Sequence, residues 1–112
     1  MQQIDYSSHW NWKLANKTFF TTIRINSSKY RHGEIYKHVY KDFAVEAALV
    51  KIEVRRWNDF TDYELALDTG YNRAESEKIF RSFYPTLDFK TQEFSYMLFK
   101  KIVNEKQGNI FQ

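Results

Sequence analysis

The 112-residue chain has no cysteine, one proline and three glycines. The lack of cysteine excludes disulfides, thiolate chemistry and zinc–sulfur sites, and suits a reducing compartment. Three glycines leave no glycine-rich phosphate loop, and no nucleophile elbow occurs. No apolar run approaches the roughly 20 residues that cross a bilayer. The opening Met1-Gln2-Gln3-Ile4-Asp5 has no basic region followed by an apolar one, so no signal peptide is read and the cytoplasm is the expected location. The three histidines, His9, His32 and His38, show no i,i+4 spacing. No metal and no cofactor is therefore expected. Repeats and low-complexity segments are also missing.

What is abundant is the aromatic ring: ten Phe, eight Tyr and three Trp, or 19% of the chain. Rings fill a small core efficiently, and exposed ones can stack on bases. The length fits one domain spanning residues 1–112, with a core at about 8–103 and frayed ends. Charge is uneven along it. Residues 1–57 carry ten Lys/Arg against five Asp/Glu, residues 58–89 three against seven, and residues 90–112 four against two. A basic first half draws a polyanion and an acidic middle repels it, if the two separate in space.

Lys17–Ile25 is dense in β-branched and aromatic residues and reads as a strand. Alternation puts Phe19, Thr21, Ile23 and Ile25 on one face, expected in the core, and Thr18, Phe20, Thr22 and Arg24 on the other. That second row is either the floor of a small polar pocket or a mixed surface. Before it, residues 1–9 read as a poorly ordered lead-in, and 9–16 as a short helix capped by Ser7 or Ser8. Trp10 and Leu14 would face the core and Trp12 elsewhere, as a candidate stacking plate. After it, Asn26–Gly33 is a turn-rich loop carrying Lys29, Tyr30, Arg31 and His32, then a strand at Ile35–Tyr40.

Phe43–Trp57 is too long for an ordinary strand, and should bend or bulge. Ala48, Val50, Ile52 and Val54 are expected inward, with Val45, Ala47 and Leu49 on the other face. The acidic middle reads as two helices: a capping box from Thr61 to Glu64 with a Phe60–Leu65 staple, an end at Gly70, a second cap at Asn72 and a stop before Pro85. Glu93–Val103, apolar on both faces, is a central strand. Helices grouped apart from a mostly antiparallel sheet make the fold α+β, a small β-barrel with flanking helices.

The remaining chemistry lies in Lys17, Thr22 and Arg24, in Asp68-Thr69-Gly70-Tyr71, and in the basic loop. A short helix, Lys17-Thr18 leading to Thr22-Ile23-Arg24, Lys29…Gly33-Glu34, and Phe60-Thr61-Asp62…Asp68-Thr69-Gly70-Tyr71…Phe83-Tyr84-Pro85 together resemble the ASCH domain of the PUA-like superfamily over residues 8–103. The resemblance implies a PUA-like barrel with a cleft beside it that holds RNA or a nucleotide, lined by the Thr22–Arg24 face. Arg24, Lys17, Thr22, Lys29, Tyr30, Arg31, Trp12 and Tyr71 are the expected ligand contacts.

Some small members of that family hydrolyse N4-acetylcytidine with a lysine, a threonine and a glutamate. By resemblance Thr22 matches the threonine. The lysine position falls on Phe19 with Lys17 two residues earlier, and the glutamate position on Thr69 beside Asp68. Binding is therefore expected over catalysis. The alternatives are a hydrolase using Lys17, Thr22 and Asp68, an RNA-cleaving variant, or a domain that binds a protein partner.

Overall fold

A computed structural model describes residues 1–7 and 13–102. The strands are β1 (Gln3–Tyr6), β2 (Phe19–Ile25), β3 (Ile35–Tyr40), β4 (Phe43–Arg56) and β5 (Glu93–Lys101). The helices are α1 (Lys13–Asn16), α2 (Asp62–Thr69) and α3 (Arg73–Phe83), with a 3-10 turn at Trp57–Asp59. The strands form one sheet in the order β1-β3-β4-β5-β2. All pairings are antiparallel except β1 with β3. The fold is α+β, and the sheet curls into a half-barrel.

Curling gives the sheet two covered sides. In the concave side Leu14, Phe20, Tyr36, Leu49, Met97 and Phe99 pack together. On the opposite side Trp57, Phe60, Leu65 and Phe80 cover Ile23 and Phe94. Strand β5 serves both clusters through its alternation, as its place between β4 and β2 requires. Burial of each large side chain contributes about 1.5–3 kcal/mol. Two ring clusters thus supply the core that the aromatic content announced.

The long strand bulges where Leu49 pairs with Phe99 and Lys51 with Leu98, which leaves Val50 extra. The extra residue resets the alternation, so Ala47, Leu49 and Ile52 all pack on the concave cluster. Val54, expected inward, is 51% exposed. The helix punctuation is as expected. Thr61 Oγ1 accepts from Glu64 N at 3.0 Å, and Glu64 accepts from Thr61 N at 2.9 Å. Phe60 and Leu65 lie in one cluster, Gly70 ends α2 at φ 82°, and Asn72 accepts from Glu75 N. The acids of this segment also pair with bases: Glu64 with Arg55 at 2.5 Å and Asp62 with Arg73 at 2.6 Å.

Three further expectations are corrected. Gln3–Tyr6, within the stretch read as a loose lead-in, is a strand beside β3; a four-residue strand shows too little alternation to be read without its partner. The faces of β2 are redistributed: Phe19 is 51% exposed, whereas Phe20 and Thr22 are buried. A curled sheet buries its concave face first, and the helices cover the other face at Ile23 and Thr21 but leave Phe19 exposed. Finally, among the described residues β1 and β2 are the two edges of the sheet, and no backbone pairing between them closes the barrel. Leu14 is buried as expected; Trp10, Val103 and the tail lie outside the described residues.

His38 sits at the centre of the concave cluster. Its ring lies 5.0 Å from Phe20 and 4.4 Å from Phe99, with Nδ1 2.8 Å from the Tyr6 hydroxyl. Nε2 is buried with no hydrogen-bond partner among the described residues. Burial first, and then the charge of Arg24, lower its pKa to about 4. Between pH 6.5 and 4 the unfolded chain binds a proton that the folded chain refuses, so stability falls as pH drops through that window. The loss is about 3 kcal/mol across it. Urea midpoints taken from pH 7.5 to 4.5 should therefore drop more steeply for the wild type than for His38→Phe; parallel profiles would refute this.

Candidate functional site

The seam between the two sheet edges is bridged by side chains. Arg24, on β2, donates from Nη2 to the carbonyl of Asp5 on β1 at 2.7 Å and from Nε to Thr22 Oγ1 at 3.3 Å. Its guanidinium lies 4.6 Å from the centroid of the Tyr6 ring. Among the described residues Nη1 has no partner. A cavity of about 240 Å³ opens beside this bridge. Tyr6, Lys13, Thr22, Arg24, Asp68 and Tyr84 carry its chemistry; Tyr71, Ile79 and Phe83 complete its walls.

Opposite the seam stands a buried ion pair. Lys13 Nζ donates to Asp68 Oδ1 at 3.2 Å and to the Asp68 carbonyl at 2.7 Å. The two side chains are 10% and 5% exposed. Thr21 Oγ1 donates to the same Oδ1 at 2.7 Å, while Oδ2 takes no hydrogen bond from a described residue. Asp68 is near the C-terminal end of α2, so its carbonyl is free of the helix ladder and accepts from an ammonium. Burial lowers the Lys13 pKa, and the Asp68 charge opposes that shift. Burial likewise raises the phenols of Tyr6, Tyr30 and Tyr84, with Arg24 working against it in each.

The junction between α2 and α3 shapes the remaining wall. Thr69 Oγ1 donates to the Leu65 carbonyl at 2.8 Å, accepts from Tyr71 N at 3.0 Å and lies 2.7 Å from the buried Ser76 hydroxyl. These bonds hold Tyr71 at the cavity with little freedom.

No family model, curated protein or solved structure matches the chain. The site must be read from its own geometry.

Of the residues singled out in the sequence, Thr22, Arg24, Asp68 and Tyr71 come together in this cavity. Lys17 does not: it is exposed and lines a neighbouring groove. Lys29 and Arg31 are exposed on their loop, which the Tyr36 hydroxyl pins by donating to Lys29 O at 2.7 Å and accepting from Arg31 N at 2.8 Å. Tyr30 is half-buried against the concave cluster, under Lys29. Trp12 lies outside the described residues. Lys13, Tyr6 and Tyr84 were missed. Nothing in Trp-Lys-Leu-Ala marks the lysine as buried, and its partner lies 55 residues away. Among the described residues no cluster of three or more His, Asp or Glu could hold a metal ion, and no helix is long and apolar enough to cross a membrane.

Removing one member of a buried pair leaves the other uncompensated, which costs about 3–5 kcal/mol. Asp68→Ala and Lys13→Met should each lower the unfolding free energy by about that amount in urea. The double variant should lose clearly less than the sum. Strict additivity would show that the two charges do not support one another.

Proposed function

We propose that the protein binds RNA or a nucleotide and holds one base in the cavity at the seam of a PUA-like half-barrel. The observation that carries this reading is a single convergence. Among the described residues Arg24 Nη1 is a donor with no hydrogen-bond partner and Asp68 Oδ2 an acceptor with none, and both side chains line the cavity together with the rings of Tyr71 and Tyr84. A donor and an acceptor in one cavity fit the mixed edge of a base, and the rings fit its faces. Pockets for drug-sized ligands occupy roughly 300–1,000 Å³, so about 240 Å³ suits one heterocycle with little beyond its sugar. The likeness of Thr22-Ile23-Arg24 and Asp68-Thr69-Gly70-Tyr71 to the ASCH pattern supports the same ligand class.

A second reading, hydrolysis of a modified nucleoside such as N4-acetylcytidine, is favoured by one feature. A lysine whose pKa is lowered by burial stands against a carboxylate and a hydroxyl at the cavity wall. In that reading Lys13 takes the role first given to Lys17, with Asp68 in place of glutamate. Release of cytidine from N4-acetylcytidine that Lys13→Met abolishes would establish it; no release leaves binding alone.

Binding is tested by titrating the four nucleoside monophosphates and a randomised single-stranded RNA hexamer. Loss of a charged hydrogen bond costs about 1.5–3 kcal/mol, so Arg24→Gln should weaken both roughly tenfold or more. Hexamer affinity should also fall steeply with added salt. A wild-type protein that binds neither probe better than an uncharged control would overturn the reading.

A further inference from the structure

Behind the Lys13–Asp68 wall lies a second, larger hollow of about 660 Å³. Lys13 lines both. Around it stand Lys17, Phe19, Thr21, Leu67 and Leu98, from the entry to β2, α2 and β5. Here β2 leaves Phe19 51% exposed and α2 leaves Leu67 60% exposed. A strand phenylalanine open to water is an unusual use of a large ring, and here it is accompanied by charge. Its cross-strand partner is Lys100, whose Nζ lies 5.8 Å from the ring centroid. The described lining of the groove holds no carboxylate, and of its two lysines Lys13 is already paired with Asp68 while Lys17 is exposed.

We infer that this groove takes the nucleotide adjoining the one in the cavity, so that the protein reads two consecutive positions of a single-stranded RNA. A base laid on Phe19 gains a stacking surface that tolerates any sequence. Lys100 beside that ring and Lys17 in the groove lining match the backbone phosphate, and Leu67 covers the sugar edge. Charge complementarity selects the occupant: an acidic strand with flat bases fits an aromatic ring between lysines, whereas an apolar peptide would leave both ammonium groups without a counter-charge. The strand would pass over Lys13, which lines both hollows.

The inference rests on the base-binding reading of the cavity, and the two are separable by experiment. Nucleoside monophosphates report on the cavity alone; the randomised RNA hexamer reports on both. Phe19→Ala, at an exposed position outside the cavity, should weaken hexamer binding five- to tenfold and leave monophosphate binding unchanged. Lys17→Gln with Lys100→Gln should reduce the salt dependence of hexamer binding, and amide shifts caused by the hexamer should reach Phe19 and Leu67. If monophosphates bind but the hexamer gains no affinity over them, or Phe19→Ala binds it like the wild type, the groove is not an RNA subsite. Hexamer shifts confined to the cavity would give the same answer and leave the groove to a protein partner. If neither probe binds, both readings fall together.

Discussion

An ammonium withdrawn from water must be held by something, and in this protein Asp68 holds it. The bonds tie α2, through the Asp68 carboxylate and carbonyl, to two elements some fifty residues earlier: α1 through Lys13 and β2 through the Thr21 hydroxyl. Desolvation of both charges costs several kcal/mol per ion. Their mutual attraction and the added hydroxyl offset that cost only if the geometry is kept, so the pair fixes where the short helix lies against the sheet. The cavity exists because that position is fixed. Both members of the ion pair line it.

On the other side the constraint is an open seam. The sheet has two edges, and β1 is too short to pair along β2 even if the curl brought them into register. The gap is spanned by one guanidinium, which binds a backbone carbonyl, a hydroxyl and the face of Tyr6. Unpaired edge groups are a hazard unless covered; here the same side chain that covers them offers its remaining donor to the cavity. Neutral His38, held behind Tyr6 in an aromatic cluster, adds no charge to compete with Arg24. The polar groups are thus set by an apolar frame that cannot easily rearrange.

Much of the frame was legible along the chain. The helix boundaries could be read because Thr61, Gly70, Asn72 and Pro85 act through bonds within a few residues. The bulge could be anticipated because Phe43–Arg56 is apolar on both faces and far longer than a strand needs to be. The faces of β2 could not. Alternation says which residues share a side, but both sides of a curled sheet are covered in part, and only packing against α2 and α3 decides how much of each. Gln3–Tyr6 escaped for a related reason: four residues acquire their strand character from β3, 34 positions away in register.

The residue types and their local order therefore determined the elements other than Gln3–Tyr6, the α+β class and the presence of an arginine beside a threonine on the second strand. Tertiary structure decided which lysine meets Asp68. Lys17, adjacent to the strand, remains in water, while Lys13, on a helix of four residues, is buried against it. The physical reason is range: caps, turns and alternation act over a few residues and are written in sequence, whereas an ion pair between positions 13 and 68 is made only when the sheet has curled far enough to bring them together.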